Sequence, residues 1–91
     1  MIKGFKCKYT EKLFNKEFVK RFSGIERQAE KRLKILDVVE SLDELRGLPS
    51  NRLESLIGDR EGQYSIRIND QYRICFKWHD EPYDVEIVDY H

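Results

Sequence analysis

Between Asn51 and Trp78 apolar and polar residues alternate with a period of two, and short polar runs interrupt the alternation twice. Tyr64, Ile66 and Ile68 alternate with Ser65 and Arg67, and Tyr72, Ile74, Phe76 and Trp78 with Arg73, Cys75 and Lys77. Such alternation predicts strands with one apolar face. The interruptions, Gly58-Asp-Arg-Glu-Gly62 and Asn69-Asp70-Gln71, make the stretch three strands joined by two tight loops. A two-residue loop at Asn69-Asp70 sets Ile66 opposite Arg73 and mixes the faces. A three-residue loop over 69–71 pairs Ile68 with Tyr72, Ile66 with Ile74 and Tyr64 with Phe76, so one face is uniformly apolar. Burial selects this register, because a one-residue slip flips every side chain.

That register sets Arg67 directly across from Arg73. Like charges opposed in a sheet destabilise it by up to roughly 1 kcal/mol, so an anion is expected between them. It is either a carboxylate of this chain or a phosphate, which the planar guanidinium fork suits.

Upstream the period changes. Ile2–Cys7 alternates weakly and predicts a short first strand anchored by Ile2 and Phe5. Thr10 is placed to cap a short helix beginning at Glu11. Asn15–Phe22 has no clear period and reads as either a helical extension or a mobile loop. Ser23-x-x-Glu26 is a capping box ahead of Ile25, Ala29, Leu33, Leu36 and Val39, at helical spacing, with Ile35, Val38 and Leu42 widening the stripe. This predicts a main helix of about 16 residues packed on the Ile66/Ile74 face, with Arg27, Lys31 and Lys34 off the stripe. A second S-x-x-E, at Ser41–Glu44, opens a short helix closed by Gly47 and Pro49. His79–Tyr83 reads as a polar turn and Asp84–Tyr90 as a last strand. The order predicts one α+β domain, 1–91, in two layers: an N-terminal strand and helices on a mainly antiparallel sheet.

Ninety-one residues suffice for one modest core. Net charge is zero but polarised. Residues 1–36 hold eleven Lys/Arg against four Glu, a net +7, and residues 37–91 six against thirteen Asp/Glu, a net −7. The basic third suggests a face for a polyanion, or simply a solvated helix surface. Cys7, Cys75, His79 and His91 show no metal-ligand spacing, so no structural metal or other cofactor is expected. With no apolar run of signal or membrane-span length, a reduced cytoplasmic protein is expected.

Three features are candidates for chemistry. Arg67 and Arg73 can hold a phosphate, with Arg52, Arg60 and Lys77 as further substrate-binding cations on the same stretch. Glu54 is a candidate proton acceptor, or else an ion-pair partner for Arg52 or Arg60. The run Asp89-Tyr90-His91 groups a carboxylate, a phenol and an imidazole, although a terminal His is commonly frayed. There is no phosphate-cradling glycine loop and no Gly-x-Ser-x-Gly elbow. Cys75 falls on the polar face near Arg73, where its thiolate would be favoured, but no His stands at a defined position beside it.

Arg52-Leu-Glu-x-Leu, Gly58-Asp-Arg-Glu-Gly62, Ser65-Ile-Arg-Ile-Asn-Asp-Gln-Tyr-Arg73-Ile-Cys-Phe and Val88-Asp-Tyr-His91, with the opening Met-Ile-Lys-x-Phe, resemble HigB-type toxins of the RelE superfamily, most of all the GraT-like branch. The resemblance spans nearly the whole chain. It implies a RelE-like α+β toxin of a type II toxin–antitoxin system. Such a toxin is an endoribonuclease that enters the A site of the small (30S) ribosomal subunit and cleaves mRNA there. The implied partner is a HigA-like helix-turn-helix antitoxin, through which alone the toxin meets operator DNA and represses its operon.

Carried over by position, Arg73 matches the phosphate-binding arginine, and Asp89, Tyr90 and His91 match the catalytic tail, which reverses the frayed reading. Two positions depart: the family often has His at 54 and Lys at 57, where this chain has Glu54 and Ile57. Losing an imidazole and an ammonium should weaken acid–base catalysis and phosphate binding, so a slower, milder toxin is expected, while the resemblance to the GraT-like branch implies tolerance of Glu54. The expected route is 2′-hydroxyl transesterification, with Arg73 and Arg67 on the phosphate, Glu54 or Asp89 as base, His91 as acid and Tyr90 against the nucleotide. Base and acid are interchangeable at this stage. Two rivals stand beside it: a binding module using the basic third, and a toxin fold without activity serving as co-repressor.

Overall fold

A computed structural model describes residues 1–90; His91 lies outside the described residues. Three helices, α1 (Lys8–Phe14), α2 (Glu26–Val38) and α3 (Leu42–Arg46), precede four strands, β1 (Glu54–Ser55), β2 (Tyr64–Arg67), β3 (Tyr72–His79) and β4 (Glu81–Asp89). The strands form one antiparallel sheet in sequential order. This is the expected α+β architecture.

The β2–β3 register is the one the apolar face demands. Ile66 faces Ile74, Tyr64 faces Phe76 and Arg67 faces Arg73. The loop is closed by Asn69, whose Oδ1 accepts from the backbone N–H of Gln71 and of Tyr72, both at 2.8 Å. Ile66, Ile74 and Phe76 are fully buried in one core with Ala29, Leu33 and Leu36 of α2, Leu13 of α1 and Leu45 of α3. The opposite face is not left to water: Ser65 and Cys75 are also fully buried, and Arg73 is 9% exposed.

Several local expectations yield to tertiary structure. The anticipated first strand reduces to a single parallel bridge, Phe5 to Val85. Three backbone hydrogen bonds between Lys3–Lys6 and Pro82–Val85 hold it beside β4. The edge it meets is kinked, because Asp84 takes φ +51° and the β3–β4 register slips between Cys75 and Lys77. The polar turn expected over 79–83 narrows to Asp80 (φ +64°), since both strands run up to it.

Thr10 does not cap a helix. α1 starts three residues earlier than Glu11, and Thr10 lies inside it, fully buried. Its Oγ1 accepts from the Ile87 N–H at 3.0 Å. An edge-strand donor that would otherwise be buried without a partner thereby gains one. Asn15–Phe22 is a loop ending in a 3-10 turn, Lys20–Phe22, pinned by buried Val19 and Phe22.

Ser23 is likewise not the cap of α2. The helix has 13 residues, its N-cap is Ile25, and Gly24 (φ +92°) turns the chain between Ser23 and the helix. The Glu26 carboxylate accepts from the Gly24 N–H at 2.8 Å instead. Val38 points to solvent, because the helix ends at that residue. The second S-x-x-E does cap its helix: Ser41 Oγ accepts from Glu44 N–H at 3.2 Å, while the Glu44 carboxylate reaches one residue past the cap to accept from Glu40 N–H at 3.0 Å. Among the described residues no helix is long and apolar enough to cross a membrane.

Candidate active site

The register that buries the apolar face also drives two arginines together on the other, and the structure gives their guanidinium groups different partners. Arg67 pairs with Asp70, three residues on in the adjoining loop. Arg73 is drawn toward β1: its Nε donates to Ser65 Oγ at 2.8 Å and its Nη2 to the Arg52 carbonyl at 2.6 Å, with the Ser65 carbonyl at 3.4 Å. Glu54 Oε2 stands 4.0 Å from the same Nη2. Among the described residues no single carboxylate bridges the arginines; each has its own, and Glu54 sits at the limit of ion-pair distance.

Arg52 makes this possible by an unusual backbone. It occupies the left-handed region, φ +45° and ψ +55°, directly after the 3-10 turn Pro49–Asn51. A non-glycine residue there costs about 1–2 kcal/mol, and the carbonyl so turned accepts from the nearly buried guanidinium. Hydrogen bonds to a charged donor are the stronger kind.

Between these groups lies an open cleft of about 310 Å3. Arg52, Glu54, Arg67, Arg73 and Tyr90 line it, five of the residues that the sequence put forward, together with Asn69 and Asp70. Sequence reasoning missed these last two as site residues. The signal was their position in the loop joining the strands of Arg67 and Arg73. Tyr90 is 40% exposed, and its backbone N–H donates to the Gln71 carbonyl at 2.6 Å.

Other candidates lie elsewhere. Asp89 pairs with Tyr72 across β3 and β4, whereas Arg73 pairs with Val88, so strand alternation sends Asp89 to the face away from Arg73. Gln71 Nε2 donates to its Oδ2 at 3.1 Å. Arg60 is engaged by Glu86 at 3.3 Å and Gln63 at 3.1 Å, and Lys77 by Asp84 at 3.7 Å; neither lines the cleft. Ile57 is 85% exposed and also outside it. The expected role of His91 falls outside the described residues.

Cys75 corrects the sequence reading. Burial pushes its thiol up from the ordinary value of 9.0, outweighing Arg60 and then Arg73, which act to lower it. It is a neutral core thiol. Among the described residues no three His, Cys, Asp or Glu side chains are grouped to hold a metal ion.

Three arginines and two carboxylates around an open cleft supply the elements of a phosphodiester site. Comparison with known proteins agrees in kind. Residues 3–91 match the family described as the RelE-like toxin of type II toxin–antitoxin system HigB. The chain belongs to the HigB-like toxin family. Toxin HigB-1 of Vibrio cholerae serotype O1 is 40% identical over 78 residues, which cover 84% of this chain and 82% of that one. Endoribonuclease HigB of Proteus vulgaris is 34% identical over 96 aligned positions spanning both chains completely. A protein of Haemophilus influenzae is 30% identical over 69 residues, 76% of this chain and 68% of that one. Membership implies an antitoxin as partner, and the family's RelE-like fold is the α+β architecture described above.

Proposed function

We propose that this HigB-like toxin is an endoribonuclease that cleaves mRNA in the ribosomal A site by 2′-hydroxyl transesterification. The observation that carries the reading is Arg73: a nearly buried guanidinium held on the wall of an open cleft, with Glu54 4.0 Å away. In this mechanism the scissile phosphate binds Arg73 and Arg67, displacing Asp70 from Arg67. Glu54 takes the 2′-hydroxyl proton as the 2′-oxygen attacks phosphorus. The P–O5′ bond breaks, His91 protonates the departing 5′-oxygen, and a 2′,3′-cyclic phosphate and a 5′-hydroxyl remain. Glu54 is preferred to Asp89 as base because it shares the cleft with Arg73. Tyr90 supports the nucleotide by stacking. The ribosome holds the message in line, which supplies much of the rate and suits so sparse a site. The antitoxin is a HigA-like helix-turn-helix protein through which the toxin represses its own operon in the cytoplasm.

One observation favours a second reading, a weak or inactive toxin retained as co-repressor: Asp70 and Glu54 already neutralise the two arginines. Expression without antitoxin separates the two. The nuclease reading expects arrested growth and messages cut within codons, with Arg73→Ala or deletion of His91 lowering cleavage on purified ribosomes about 10²-fold or more. Uncut messages, or unchanged cutting by both variants, would leave the co-repressor.

A further inference from the structure

We propose that Arg32 and Asn51, neither of which lines the cleft, are positioning residues that set Arg52 and through it the Arg73 guanidinium. The consequence for catalysis rests on the nuclease reading above; the contacts do not depend on it. Arg32, half-buried on α2, donates from Nη1 to Asn51 Oδ1 at 2.6 Å and to Ser50 Oγ at 3.4 Å. Asn51 is 1% exposed, and its Nδ2 donates to the Leu45 carbonyl at 3.0 Å, in the last turn of α3. Its amide thus uses its acceptor on α2 and its donor on an α3 carbonyl that otherwise accepts, among the described residues, only a long 3.4 Å bond from the Leu48 N–H. An amide held at both ends cannot rotate, and it clamps the 3-10 turn Pro49–Asn51 against both helices.

The next residue is the strained one. Arg52 stays in the left-handed region only while its surroundings over-determine it. The Asn51 clamp supplies that constraint on one side, and the 2.6 Å bond from Arg73 Nη2 to the Arg52 carbonyl uses it on the other. Glu54 follows two residues later, 4.0 Å from the same Nη2. A continuous chain of contacts therefore runs from the helical layer to the charged wall of the cleft. If Arg32 merely docked α2, losing it would leave the Arg73 guanidinium as it was.

The deciding measurement is hydrogen exchange of the Arg73 side-chain N–H groups by NMR in the full chain. Arg32→Ala is expected to speed it about tenfold or more while Arg67 and the β2–β3 backbone amides keep parental rates. Arg32→Lys, which keeps one donor for Asn51, is expected to restore most of the protection. Parental exchange at Arg73 in Arg32→Ala overturns the proposal; should that variant not fold, Arg32→Gln carries the same comparison. In single-turnover cleavage on ribosomes, Arg32→Ala is expected to slow the parent between about tenfold and about 10²-fold, the upper figure being the scale of a roughly 1 Å misplacement far from the chemistry. In an Arg73→Ala background the slowing should be less than about twofold, since the two residues act through one another. Equal slowing in both backgrounds also overturns it. A parent that does not cleave removes the nuclease reading, and the exchange rates then decide the positioning by themselves.

Discussion

Arg67 and Arg73 face each other across β2 and β3, yet their guanidinium groups answer to different partners: Asp70 for one, Ser65 and the Arg52 carbonyl for the other. Each charge is met by partners of its own, and both arginines line the one cleft.

The two arginines should therefore respond differently to lysine. Arg73 uses Nε and Nη2 at once, a geometry a single ammonium cannot reproduce. Arg73→Lys is expected to slow single-turnover cleavage at least about tenfold, while Arg67→Lys, whose pairing is with an exposed loop carboxylate, stays within about threefold. Losses within about threefold at both positions would mean that both arginines serve only as point charges, and losses of about tenfold at both would mean that Arg67 also needs its fork.

Glu54→Gln tests the base. The amide keeps the shape and removes the proton acceptor, so cleavage should fall about 10²-fold with ribosome affinity little changed. Single-turnover rates at saturating toxin make the measurement. Parental rates would reduce Glu54 to an ion-pair partner of Arg73.

Thr10→Val removes one hydroxyl at nearly constant volume and strands the Ile87 N–H. The expected cost is about 1–3 kcal/mol, that of a buried donor left unpaired. In a chain of this length it lowers Tm by several degrees, on the scale of about 4–8 °C per kcal/mol. Thr10→Ser should recover most of the loss in thermal unfolding. A neutral Thr10→Val would mean that β4 finds another acceptor.

Cys75 predicts a pH dependence of stability. Its thiol pKa is raised by burial, so the native state holds the proton above 9.0, where the unfolded thiol has begun to lose it. The contribution is complete below the unfolded value. It is lost as pH rises from there through the folded value, with a slope of at most about 1.4 kcal/mol per pH unit. Denaturant titrations between pH 8 and about 10.5 should show Cys75→Ala lacking this decline, although destabilised throughout. At neutral pH a thiol reagent should modify partly exposed Cys7 well before Cys75.

Where one local pattern had one buried outcome, the sequence was sufficient. Ile66 and Ile74 could be buried together in one register only, and that register forced Arg67 opposite Arg73. Ser41 capped α3 because its partner donor lies three residues away, within the range of local hydrogen bonding. Thr10 and Ser23 had equally good capping credentials and failed. Thr10 was taken by β4, which lies 77 positions along the chain, and Gly24 turned Ser23 out of line.

The alternating and helical periods, with the loop residues, thus determined the α+β class, the β2–β3 pairing and the presence of two opposed cations, and the run of motifs identified the family. Only tertiary structure decided that Arg73 leans toward β1, that Glu54 and Tyr90 join it while Asp89 takes the other face, and that Arg60 and Lys77 are occupied elsewhere. The reason is the range of the interactions. Periodicity reports which side of an element is buried, whereas the direction of a charged side chain depends on carbonyls and carboxylates brought near by distant segments.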